Sequence, residues 1–154
     1  MMKFLSRNAH PITSSTTLLR LYGNRVSCGF PSPAQDHVEQ TISLDALLDI
    51  QAPHIYIVRA AGDSMTGAGI FDDDWLIVDR SLAPQHGQII IAALFGEPLV
   101  RRLYRKNGHL RLLADNPAYA PITLRPEDDF FVWGVVRHSI RRHCPDSDPG
   151  TTAP

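Results

Sequence analysis

Ser64 is the residue whose surroundings could support nucleophilic chemistry. It sits in Gly62-Asp63-Ser64-Met65, after the alternating run His54-Ile55-Tyr56-Ile57-Val58-Arg59-Ala60 and before Thr66-Gly67-Ala68-Gly69. The run has the period of a half-buried strand, and the glycines mark where it stops. A serine at a strand end, with glycines close by, can hold its hydroxyl clear of the backbone. A nucleophile needs that exposure, and neighbouring backbone N–H groups can serve as an oxyanion site. The tetrapeptide alone fits an ordinary turn serine as well, and turn serines are the commoner case.

Other groups offer weaker chemistry. Asp72-Asp73-Asp74 supplies oxygens but lacks the spaced ligands and the glutamate of a calcium loop, so a solvated turn is expected there. The seven histidines are scattered with no H-x-x-x-H pair, although a serine–histidine triad stays open because its members meet in space. Cys28-Gly29 reads either as plain small residues or as a bond that a protease can reach in an exposed segment. Arg101-Arg102, Arg105-Lys106, Arg137 and Arg141-Arg142-His143 are basic clusters. With a net charge of −1 they are expected to be solvated faces, and strong direct DNA binding is not expected. There is no P-loop and no metal-ligand spacing, and no cofactor is expected.

The elements that must position Ser64 read as short strands. After residues 54–60 come Trp75-Leu76-Ile77-Val78, the apolar run from Ile89 to Phe95, and Leu99 to Arg105. Asn107-Gly108 is a two-residue hairpin signal before His109 to Leu113; Ile122-Thr123-Leu124 and Phe130 to Val136 follow. Regular strands with turn signals between them predict a compact, mostly all-β domain over residues 41–138. Residues 1–40 lack usable periodicity and contain Phe30-Pro31-Ser32-Pro33, so an extended, flexible arm is expected there. Ser43-Leu44-Asp45-Ala46-Leu47-Leu48 predicts a short capped helix. The polar, proline-rich end predicts a disordered tail over 139–154.

A chain of 154 residues with 44% hydrophobic and 20% charged residues has the size and composition of one globular domain with a real core. Two distant cysteines exclude a disulfide framework and fit a reduced, cytoplasmic setting. Phe4-Leu5 is too short for a signal peptide's apolar region. Ile89 to Phe95 is far short of the roughly 20 residues that span a bilayer, so no membrane association is expected.

Several of these segments together resemble the LexA/UmuD family of self-cleaving serine peptidases. Cys28-Gly29-Phe30-Pro31-Ser32-Pro33-Ala34, with Val38-Glu39-Gln40, resembles the cleavage region of UmuD-type proteins, and Gly62-Asp63-Ser64-Met65 resembles the active-site motif of the wider family. Leu76-Ile77-Val78-Asp79, His86-Gly87, Ile91-Ala92-Ala93, Asn116 to Thr123 and Gly134-Val135-Val136 continue the likeness in order. It implies a β-rich peptidase fold with Ser64 as nucleophile and Cys28–Gly29 as the bond cut. It also implies a homodimer or mixed dimer with a UmuD relative, cleavage stimulated by a RecA filament on single-stranded DNA in the SOS response, and service to a UmuC-type translesion polymerase. The 27 residues before the cut leave no room for a repressor's helix-turn-helix, which sets the expectation apart from LexA itself.

One position departs from the pattern. The family's general base is a lysine on the strand after the Ile-Ala-Ala run, and here that context reads Val100-Arg101-Arg102. Burial can neutralise a lysine near pH 7. Arginine starts far above lysine, and bringing it to about 7 costs on the order of 9 kcal/mol. Arg101 is therefore expected to stay charged, with no lone pair to take the serine proton. Lys106, five residues on and beside the Asn107-Gly108 turn, is too far to substitute. Two expectations follow: an autopeptidase with an unusual base, or a degenerate, non-catalytic binding subunit cut in trans or not at all. The residue at position 101 favours the second.

Overall fold

Apolar runs broken by tight turns leave this chain few choices but antiparallel strands, and most of the expected strands form. The computed structural model describes residues 10–11, 18–22, 28–29 and 38–144. In chain order the elements are β1 (His10–Pro11), β2 (Leu18–Tyr22), β3 (Val38–Ser43), α1 (Leu44–Leu48), β4 (Ile55–Arg59), a 3-10 turn (Thr66–Ala68) and β5 (Trp75–Asp79). Then follow β6 (Ile89–Leu94), β7 (Glu97–Lys106), β8 (His109–Leu113), β9 (Ile122–Thr123) and β10 (Phe130–Ile140). Two compact units divide the chain, Ile12–Pro53 and the remainder. Among the described residues no helix is long and apolar enough to cross a membrane.

In the smaller unit β2 pairs antiparallel with β3, Leu18 opposite Ser43 and Leu21 opposite Gln40. Leu18–Tyr22 of the expected extended arm thus forms a strand, made by backbone pairing and not by an apolar period. Ser43 caps α1 as expected, its hydroxyl accepting from the Ala46 N–H at 3.0 Å. Pro31 and Pro33 lie outside the described residues.

The larger unit is one eight-stranded sheet in the order β1-β4-β5-β10-β6-β7-β8-β9. The β6 strand lies at its centre and is buried on both faces. Ile91 joins Val58, Met65, Leu76, Val78 and Trp133 on one side, while Ile90 and Ala92 join Leu103, Leu112 and Val135 on the other. That is why its sequence is a continuous apolar run and not an alternation. At the β7–β8 turn Asn107 and Gly108 both have positive φ, 51° and 73°, as a two-residue primed turn requires. Lys106 pairs with His109 at that tip, where the sequence placed it.

Two expectations about the end of the domain and its acidic turn are corrected. The β10 strand runs on to Ile140, its register shifting between Val132 and Gly134 and again between Val136 and His138. Residues 139–144 are thus not all tail; 145–154 lie outside the described residues. Asp72 and Asp73 are exposed, as a solvated turn implies, but Asp74 is buried and the three together brace the turn. Asp72 Oδ1 accepts from the Gly62 N–H at 2.7 Å, and Asp73 pairs with Arg59. Asp74 is 3% exposed; its carboxylate accepts from the Phe71 N–H at 2.8 Å and from Arg141 at 2.6 and 2.8 Å. Arg141 also donates to the Gly69 carbonyl at 2.8 Å and lies over the Phe71 ring. The turn carrying Ser64 is therefore tied at both ends, at Gly62 and at Gly69.

The hydrogen bonds from Arg141, opposed by burial, hold the Asp74 carboxyl below its ordinary value of 3.8. A carboxyl lowered on folding contributes stability above that ordinary value and loses it as pH falls through the lower folded value. Asp74→Asn should lower the urea midpoint at pH 7 by the equivalent of roughly 2 kcal/mol. Its deficit should shrink below about pH 4. An unchanged midpoint at pH 7 would contradict the brace.

Candidate active site around Ser64

Met65 fixes the position of Ser64. Its side chain is 2% exposed and packs in the cluster with Val58, Leu76 and Trp133, while Ser64 beside it is only half-buried. The backbone closes into the 3-10 turn through Ala68 N–H to Met65 carbonyl at 3.0 Å and Gly69 N–H to Thr66 carbonyl at 3.0 Å.

A second loop clamps this turn. Asn116 Nδ2 donates to the Asp63 carbonyl at 2.9 Å, the Tyr119 hydroxyl donates to Asp63 Oδ1, and the Gly67 N–H donates to the Asp115 carbonyl at 2.7 Å. Only glycine permits that last approach, because a Cβ at position 67 would stand 2.5 Å from the Asp115 oxygen. Arg102 anchors the clamping loop from β7. Its guanidinium bonds both Asp115 carboxylate oxygens and donates to the Gly87 carbonyl at 2.7 Å. The Asp115 hydrogen bond raises the Arg102 pKa further above its already high value.

Arg101 lies on β7 opposite Ile90 of β6 and reaches the serine directly. Its Nη1 donates to Ser64 Oγ at 2.7 Å and to the Val100 carbonyl at 2.8 Å, and the guanidinium carbon lies 5.5 Å from the Tyr119 ring centroid. Burial pulls its pKa below the usual arginine value, and Tyr119 opposes that. A guanidinium is not deprotonated in proteins, so the group is a donor only. Tyr119 itself titrates above its ordinary 10.0, chiefly because its hydroxyl bonds Asp63.

Ser64 and Arg101, singled out in the sequence from motif and strand context, thus meet in space. A profile of the Peptidase S24-like family matches residues 20–137. This chain belongs to the Peptidase S24-like family. A LexA repressor of Bordetella avium (strain 197N) is 41% identical over 136 residues, 87% of this chain and 63% of the repressor. A protein named ImpA from Salmonella typhimurium is 39% identical over 137 residues, 88% of this chain and 92% of ImpA; ImpA of Escherichia coli matches equally. The S24-like chain therefore spans less than two thirds of the repressor's length.

Cys28 and Gly29 are exposed and lie in the smaller unit. Sequence reasoning gave Asn116 and Tyr119 no role in holding the serine. It took Arg102 and Arg141 for solvated charges, and both are structural ties. The one sign in the sequence was that Asn116 and Tyr119 fall within the segment shared with the family.

The clamp makes a measurable statement. Asn116→Ala removes two hydrogen bonds, to the Asp63 carbonyl and from the Ala118 N–H, at about 1 kcal/mol each. Amide exchange at Gly67 and Ala68 should quicken by roughly tenfold or more. Unchanged exchange would show that the turn stands without the loop.

Proposed function

We propose that this S24-like chain is a UmuD-like accessory subunit of an error-prone translesion DNA polymerase, and that it no longer cuts itself efficiently. The observation that carries the second half is the Arg101 Nη1–Ser64 Oγ hydrogen bond at 2.7 Å. The serine oxygen is here an acceptor from a permanent cation. In the family's mechanism the side chain in this place must accept the serine proton, and a protonated guanidinium has no lone pair for it. Three features support the accessory role: family membership, the cover of ImpA over 92% of its length, and the likeness of Cys28-Gly29-Phe30-Pro31-Ser32-Pro33 to UmuD-type cleavage regions.

In this reading Ser64 is the nucleophile left without activation, Arg101 occupies the base position, and Cys28–Gly29 is the bond a lysine-bearing relative cuts in a mixed dimer. The subunit works as a homodimer or mixed dimer on a UmuC-type polymerase, responds to a RecA filament on single-stranded DNA, and acts in the cytoplasm. The net charge of −1 gives it little affinity for DNA of its own. The intact Gly62-Asp63-Ser64-Met65 favours a second reading, a slow autopeptidase, and the same experiment separates the two.

Wild type, Arg101→Lys and Arg101→Lys/Ser64→Ala are incubated from pH 7 to 10, with and without a RecA filament, and followed on gels. Wild type should stay whole. Arg101→Lys should be cut at Cys28–Gly29, faster as pH rises and by about 10²–10⁴ over wild type, and the double variant should be inert. Wild-type cleavage as fast as that of Arg101→Lys, abolished by Ser64→Ala, would overturn the proposal.

A further inference from the structure

The eight-stranded sheet holds a cavity that neither Ser64 nor Arg101 lines. Arg59 of β4 and Ile140 of β10 both stand opposite Trp75 of β5, so the three are cross-strand neighbours. Neighbours of this kind present their side chains on one face of a sheet. With Asp73, Arg141 and Arg142 they line a cavity of about 320 Å³. That volume is at the small end of small-molecule pockets, which run from roughly 300 to 1,000 Å³. The Trp75 ring in its wall is 41% exposed, a large aromatic surface left uncovered.

The lining is cationic. Three guanidinium groups face one carboxylate, that of Asp73, and counting the Asp74 partner of Arg141 still leaves one positive charge in excess. Arg141 belongs to the wall, because Asp74 and the Gly69 carbonyl already hold it. Arg59 is held more loosely. Its pairing with Asp73 at 2.5 Å joins two largely exposed side chains, and such a pair adds little to stability. A ligand anion can therefore draw this guanidinium from Asp73 at small cost. The Arg142 guanidinium carbon lies 5.9 Å from the Trp75 ring centroid. One exposed indole thus has a cation across the ladder and a second near its ring.

We infer that this cavity binds a nucleotide, its base laid on Trp75 and its phosphate held by Arg59 and Arg142. An aromatic platform takes a base of any sequence by stacking, and guanidinium forks take phosphate oxygens in pairs. A carboxylate satisfies one fork, whereas a phosphate has oxygens for both. An acidic peptide fits less well. Strand β5 is paired on both sides, by β4 and β10, so no strand can be added beside Trp75. The volume also suits one ring with one anionic group better than an extended chain. The nucleotide is free or is one unit of a single strand, since the contacts are the same. One such contact agrees with weak affinity for DNA at large, because no run of phosphates is neutralised. The inference is independent of whether Ser64 cuts.

The full-length chain, isotopically labelled, is titrated with dAMP, deoxyadenosine, inorganic phosphate, an oligodeoxyadenylate and a hexaglutamate peptide. The indole Nε1–H resonances are followed by NMR. The chain has two tryptophans, and the buried Trp133 is the internal control for folding. A stacked base should move the Trp75 resonance upfield and leave that of Trp133 in place. From these titrations dAMP should bind roughly tenfold or more tightly than deoxyadenosine or inorganic phosphate. Arg59→Gln and Arg142→Gln should each weaken dAMP roughly tenfold and leave deoxyadenosine unchanged. By calorimetry Trp75→Leu should weaken both. An oligonucleotide that binds more tightly than dAMP assigns the site to a single strand, and the reverse order assigns it to the free nucleotide. A Trp75 resonance that neither dAMP nor the oligonucleotide moves overturns the inference. Inorganic phosphate binding as tightly as dAMP overturns it as well, by showing a plain anion cluster. Hexaglutamate moving Trp75 at lower concentration than dAMP overturns it in favour of an acidic peptide.

Discussion

Arg101 brings a fixed positive charge to within 2.7 Å of Ser64 Oγ, at a place where the sheet has already taken away part of the water around it. Much else in the larger unit serves to hold those two groups there. Met65 is sunk in the core beneath the turn, the Asp115–Tyr119 loop grips the turn from outside, and Arg102 ties that loop back to β7 beside Arg101. The same strand thus positions the cation and anchors the clamp. A shift of β7 against β6 would misplace both together.

The arrangement is preorganised in the sense that matters for chemistry: donors are fixed before any ligand arrives. What it lacks, among the described residues, is a group that accepts the Ser64 O–H. A neutral amine in this position would take the serine proton; a guanidinium orients the hydroxyl and leaves its proton in place. In the proposed reading serine geometry and serine reactivity are separable, and the clamp keeps the first. The acidic brace at Asp72-Asp73-Asp74 shows that the surrounding structure is intact, because it ties the Ser64 turn at Gly62 and Gly69.

The legible parts of this chain are those written locally. Asn107-Gly108 announces its hairpin because both residues tolerate positive φ, and the run from Ile89 announces a strand buried on both faces. Strand β2 was not legible, since Leu18–Tyr22 has no period of its own and is defined by its pairing with β3. Asp74 looked like a surface charge because its partner, Arg141, lies 67 residues away. The clamp was hidden for the same reason, with Asn116 and Tyr119 acting on Asp63 from 53 and 56 residues further along. Ser64 and Arg101 were found through resemblance and strand context, and their contact is a fact of tertiary structure alone.

The central claim is that Ser64 is correctly placed but not activated, and its reactivity can be read directly. Intact protein is treated with a fluorophosphonate, which phosphonylates an activated serine as the P–F bond breaks and fluoride leaves, and the mass increase is mapped by peptide sequencing. Wild type should carry no label at Ser64, while Arg101→Lys should gain one that grows with pH. Wild-type labelling at Ser64 equal to that of Arg101→Lys would contradict the account, because it would mean that the proton leaves the serine with the guanidinium in place.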